Sequence, residues 1–93
     1  MNSCVPFLFQ ESDYHVPVLS MKECAKHNHR NNAWIIIQGI VYSLQKDDEE
    51  LLTFFKDHYG QDVSFYVKKI LNNKEIILLM EKLKSRKIGK ILH

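Results

Sequence analysis

The spacing of apolar residues changes period midway along this chain, dividing it into a strand-rich first half and a helical second half. Trp34, Ile35, Ile36 and Ile37 form a β-branched run, Gln38 and Gly39 interrupt it, and Ile40, Val41, Tyr42 and Leu44 resume it. Two short apolar runs hinged on a Gln-Gly pair predict a hairpin, because glycine reaches positive φ at no steric cost. Upstream, Pro17, Val18 and Leu19 predict a short edge strand, and Ser20 with Glu23 has the spacing of a capping box that opens a helix from Met21 to about His27. The stretch His27 to Asn32 is polar and favours a turn. Downstream, Leu51, Leu52, Phe54, Phe55 and Tyr59 recur at helical spacing behind a second capping arrangement, Asp47 with Glu50, and stop at Gly60. Asp62 then caps a short helix carrying Val63, Tyr66, Val67, Ile70 and Leu71. Asn72 and Asn73 break it, and Ile76, Ile77, Leu79, Met80 and Leu83 mark a third amphipathic helix. Ile88, Gly89, Ile91 and Leu92 predict a closing strand.

With 93 residues, 45% hydrophobic and 11% aromatic, the chain closes one modest core, so a single domain over 15–93 is expected behind a poorly ordered N-terminal arm over 1–14. The apolar patch Val5 to Phe9 reads as a strand or arm covering that core. A net charge of +2 gives no field that would point to nucleic acid. The charges segregate nonetheless: Asp47, Asp48, Glu49 and Glu50 form an acidic run, while Lys82, Lys84, Arg86, Lys87 and Lys90 make the C-terminal stretch basic, both read as solvated faces. Cys4 and Cys24, without a Cys-x-x-Cys, suggest neither a disulfide framework nor a thiolate metal site. Apolar runs fall short of a membrane span and no anchor follows the closing strand, so a cytoplasmic, monomeric protein is expected.

Several of these residues make a specific pattern. Glu23, Ala25, Lys26, His27 and Asn28 form an acidic-x-x-x-His-Asn helix end. Trp34, Ile35, Ile37, Gly39, Val41 and Tyr42 form a Trp-hydrophobic-x-hydrophobic-x-Gly-x-Val-Tyr hairpin, Gly60 and Asp62 a Gly-x-Asp, and Ile88 to Ile91 an Ile-Gly-x-hydrophobic strand. Across about residues 18 to 92 the chain resembles the cytochrome b5 family. The resemblance implies an α+β fold, a small mixed sheet packed against several short helices, together with haem binding and electron transfer. The family's iron ligands have no evident counterpart. Ser43 stands where the family has Asp after the hairpin Tyr, and Asp47 to Phe55 contains none of the residues of its His-Pro-Gly-Gly turn. Counting forward from Asp62, the second axial position falls near Asn72, a poor donor to haem iron.

If haem is held, other donors must hold it. His58, ahead of Gly60, is the candidate metal ligand, its plain alternative being a C-terminal helix His that favours the macrodipole. Tyr59 and Tyr66 are candidate phenolate ligands, as in the b5-like membrane-associated progesterone receptor relatives, and Met80 is a candidate thioether. Phe54, Phe55 and Val67 belong to a longer apolar stripe, with Val63, Tyr66, Ile70, Ile76, Ile77, Leu79 and Met80, that would line the basin or, if the basin is closed, fill the core. His27 and His29, near His15, are too weakly spaced for a metal site. No nucleophile and base order, phosphate-cradling loop or contrasting carboxylate pair appears, so no enzyme is expected.

Two functions remain open. One is a haem-binding electron carrier with non-standard axial ligation, in which His58 with Tyr66 or Met80 holds iron and the acidic run docks a basic redox partner protein. The other is a haem-free b5-like module that binds a protein partner or a small apolar ligand through the old basin. A basic nucleic-acid binder using Lys82 to Lys90 is disfavoured, because no aromatic residue interleaves those charges.

Overall fold

The computed structural model describes residues 16–91. A five-stranded sheet has the order β1-β5-β4-β3-β2. Its strands are β1 (Val18–Leu19), β2 (Asn28–His29), β3 (Asn32–Ile37), β4 (Ile40–Leu44) and β5 (Lys87–Ile91). The outer pair β1 and β5 is parallel and the other pairs are antiparallel, so the sheet is mixed as expected. Among the described residues four α-helices accompany it: α1 (Met21–Ala25), α2 (Glu49–Phe54), α3 (Ser64–Ile70) and α4 (Asn73–Leu83), with a 3-10 turn (Lys84–Arg86) leading into β5.

The hairpin β3–β4 is the spine of the sheet. Its turn is Gln38 and Gly39 with φ of 52° and 81°, the mirror-image geometry whose twist suits a two-residue connection. Alternate residues then face opposite ways. Ala33, Ile35 and Ile37 of β3, with Tyr42 and Leu44 of β4, join Leu51, Leu52, Phe55, Val63, Val67, Leu79 and Leu83 in one core beneath α2, α3 and α4. Ile36 and Val41 point to the other face, where Cys24 of α1 and Ile91 bury against them, with Trp34, Leu19 and Ile88 partly buried alongside. Trp34 therefore anchors the side of the sheet that α1 covers, its ring stacked on His27 at 3.5 Å and 1°. Burial pushes the Cys24 thiol up, so this cysteine sits there as a small apolar side chain.

Several sequence expectations change in detail. Ser20 Oγ accepts from the Glu23 amide, but Glu23 turns to His27 and Lys26 instead of closing the box. The polar stretch after His27 forms the short strand β2, and α1 stops at Ala25. Asp48, not Asp47, precedes α2 and offers it no side-chain cap, because its carboxylate accepts from the Gln45 amide and from Arg86. Helix α2 ends at Phe54 instead of running to Tyr59. Ile70 and Ile77, assigned to the apolar stripe, are exposed. The expected arm over 1–14 and the patch Val5 to Phe9 lie outside the described residues.

After α2 the chain returns to the sheet at Gly60, whose amide donates to the Trp34 carbonyl at 2.6 Å. Ile36 then exchanges hydrogen bonds with Gln61 and Val63, so this segment extends the edge of β3 beyond β2 and fixes where α3 begins. Gly60 has φ of +80°, and a Cβ there would stand 3.1 Å from the Cys24 carbonyl and 3.2 Å from the Asn28 side chain. Gly60→Ala is expected to cost about 1–3 kcal/mol. A shift of the urea midpoint to lower concentration at unchanged slope checks this.

Candidate functional site

The segment from α2 to α3 contains most of the residues on which chemistry was expected, and its backbone explains their positions. The last carbonyls of a helix have no partner within it. In α2 those of Leu51 and Thr53 accept from the amides of Phe55 and Lys56 at 3.0 and 3.3 Å. The Leu52 carbonyl accepts from the Tyr59 hydroxyl at 2.6 Å, and the Phe54 carbonyl accepts from the Tyr66 hydroxyl at 3.1 Å. Tyr59 and Tyr66 thus close the end of α2. Beneath them Phe55 is fully buried, its ring edge-on to Phe54 at 4.8 Å, and the His58 ring lies 4.2 Å from that of Tyr66.

The other candidates lie apart from this cluster. Asn72 is the N-cap of α4 in a reciprocal capping box: its Oδ1 accepts from the Glu75 amide at 2.8 Å, and Glu75 Oε1 accepts from the Asn72 amide at 2.9 Å. Val67 is buried in the main core. Met80 faces a cavity of about 340 Å³ at the hairpin, bounded by Ile37, Ile40, Tyr42, Val67 and Ile76, with Gln38, Ser64 and Lys68 at its rim.

A second apolar concavity, a groove of about 360 Å³, runs between α2 and α4. Leu51, Phe54, Leu71, Leu78 and Leu79 form its walls, and the exposed Glu50–Lys82 ion pair spans two of its lining residues. It lies beside Asn72, where the family resemblance would put an axial ligand. None of His58, Tyr59, Tyr66, Asn72 or Met80 lines it. The hairpin cavity is lined by Met80 alone of these five. The residues present therefore do not fit haem: neither apolar space is lined by a pair of the candidate donors, and both tyrosine hydroxyls hold backbone carbonyls. Among the described residues no group of three or more His, Cys, Asp or Glu is arranged to hold a metal ion. His27 lies in a network of its own, with Nδ1 2.6 Å from Asn32 Oδ1 and Nε2 3.2 Å from Glu23 Oε2, and His15 lies outside the described residues.

The acidic run, expected as a solvated face, has basic partners within the chain for three of its four residues, while Glu49 and Glu50 stay exposed. Arg86 donates to both oxygens of Asp48 at 2.6 Å, Arg30 reaches Glu49 at 2.6 Å, and Lys82 pairs with Glu50. These contacts tie the start of α2 to the turn after β2, to α4 and to the 3-10 turn. The separation in sequence between each pair is what conceals them, and no local pattern announces them.

Comparison with known proteins supports the architecture. No family model matches the chain, and no curated relative matches it. Among solved structures, the cytochrome b5 of Ostreococcus tauri virus 2 is similar at 25% identity and a TM-score of 0.56, over 81% of this chain and 96% of that one. Cytochrome b558 of Ectothiorhodospira vacuolata, described as a prokaryotic homologue of cytochrome b5, is similar in fold at 20% identity and a TM-score of 0.55, over 81% and 98%. This chain has a cytochrome b5-like fold. Among the described residues no helix is long and apolar enough to cross a membrane.

Two outcomes are expected from these contacts. Tyr59→Phe strands the Leu52 carbonyl and should cost about 1 kcal/mol, measurable by urea unfolding. The Arg86 guanidinium holds the Asp48 carboxyl below its ordinary 3.8, so the pair contributes stability above that pH and loses it as the pH falls through the depressed folded-state value. Asp48→Asn should therefore destabilise the protein at neutral pH by about 1–2 kcal/mol and flatten the acid limb of its stability profile, followed by circular dichroism.

Proposed function

We propose that this chain is a haem-free, cytochrome b5-like module whose work is to bind a protein partner. The observation that carries this reading is the arrangement of α2, Phe55, Tyr59 and Tyr66. Residues suited to ligate or line a haem instead complete a helix end and a closed core, while the open groove beside Asn72 has no candidate donor in its lining. A fold whose core is completed by its own side chains needs no prosthetic group to be stable.

A protein partner is favoured over a small apolar ligand by what remains outside the core. Phe65 is 76% exposed and Ile77 64% exposed, with Ile70 and Leu78 also largely open. Large apolar side chains left so open on two adjoining helices suit an interaction surface. A small molecule in either concavity would leave Phe65 in water. The acidic run is a weaker docking site than its composition suggests, since Asp48, Glu49 and Glu50 already have partners within the chain.

The test is to express the protein with a haem precursor, purify it, and then add haemin to the purified sample. The expected product is colourless and folded, with only the spectrum of free haemin after addition, and His58→Ala behaves identically. A stoichiometric Soret band that moves in His58→Ala would return the protein to the haem carriers.

A further inference from the structure

Exposed apolar residues and unpaired lysines stand on the two helices that bound the hairpin cavity, and that arrangement specifies a partner. On a helix, residues three and four apart share a face, so Phe65, Lys68 and Lys69 stand together on α3. Lys68 is also at the rim of the cavity, across which α4 contributes Ile76 and Met80. Ile77, next to Ile76 in sequence, is a further exposed apolar residue of α4. The cavity thus has an apolar interior of about 340 Å³, with Lys68 at its rim, and the helix that bounds it also carries the exposed Phe65 and Lys69. Among the described residues Lys68 and Lys69 form no ion pair, whereas other basic side chains of the chain, Arg30, Lys82 and Arg86, are matched to the acidic run. Helix α3 carries no acidic residue at all.

We propose that this face docks an acidic segment of another protein, which places one large apolar side chain in the hairpin cavity, covers Phe65, and sets its carboxylates against Lys68 and Lys69. The proposal rests on the partner-binding reading above and names the partner's chemistry. Charge complementarity argues for an acidic segment, since the unpaired charges of α3 are positive. The size of the cavity argues for a single anchor, because it sits at the lower end of the range of about 300–1,000 Å³ that ligand pockets span. The open Phe65 argues for a polypeptide over a free amphiphile. A well-packed anchor surrounded by weaker contacts is the usual division of energy at such interfaces. The rim charges would steer the encounter and make it salt-sensitive.

The experiment is a nitrogen-15 amide titration of the full chain with short synthetic peptides. One carries a single Phe flanked by glutamates, a second has that Phe replaced by Ser, and a third has lysine flanks; decanoate serves as a small-amphiphile probe. The proposal expects saturable shifts at the amides of 64–69 and 76–80 with the glutamate-flanked Phe peptide. It further expects affinity about tenfold weaker in Phe65→Ser and in the double variant Lys68→Glu, Lys69→Glu, and little binding of the other two peptides. All three substitutions are at exposed positions, and the same spectra report whether each variant is folded. The proposal is overturned if the lysine-flanked peptide binds as well, if decanoate alone shifts these amides, or if no peptide gives a saturable change. A colourless, folded protein that ignores the acidic peptide defeats this proposal alone, whereas a bound haem defeats the reading beneath it.

Discussion

The closure of α2 is the constraint on which the rest of this structure depends. A helix of six residues has few hydrogen bonds of its own and is not stable by propensity. Two tyrosine hydroxyls from later in the chain take its orphaned carbonyls, and Leu51, Leu52 and the following Phe55 bury against the inner face of β3 and β4. Full burial of a side chain such as Phe55 contributes about 1.5–3 kcal/mol. Without that closure the inner face of the sheet would lie open, and α3 and α4 would have nothing to pack against on one side.

The same contacts support the proposed reading, in which a cytochrome b5-like architecture stands without a prosthetic group at its centre. Where a cofactor fills a cleft, the walls can be built from short helices that do not meet. Here Phe55, Val67, Leu79 and Leu83 belong to one continuous cluster, and the hairpin cavity and the groove between α2 and α4 lie at its margins. Ion pairs from Asp48, Glu49 and Glu50 fasten the start of α2 to distant parts of the chain. Of these the Asp48–Arg86 pair is the most sheltered and the most consequential, since exposed pairs contribute little.

Much of the framework was legible in the sequence, because it depends on local rules. The two β-branched runs around Gln38 and Gly39 define a hairpin by turn chemistry and alternation, and the framework pattern from Glu23 to Ile91 indicated the family fold. The site was less legible, for a physical reason: a Tyr that ligates a metal and a Tyr that caps a helix lie equally well on an apolar pattern, and only the partner of the hydroxyl separates them. Tyr59 and Tyr66 find carbonyls 7 and 12 positions away. Asn72 was read as a helix breaker and as a position near a missing ligand, yet the Asn-x-x-Glu spacing with Glu75 already carried the signal of a capping box. The exposure of Phe65 and Ile77 was invisible to periodicity, which records that a residue is apolar but not whether anything covers it.

Native-state amide exchange of the haem-free protein tests the central claim most directly. If the core is complete without a cofactor, the amides of Leu52, Phe55, Val67 and Leu83 should exchange only through global unfolding, matching the hairpin amides of Ile35 and Val41 in their free energy of opening. Rapid exchange throughout α2 and α3, becoming slow only when haem is added, would show that the basin waits for a ligand and would contradict the account.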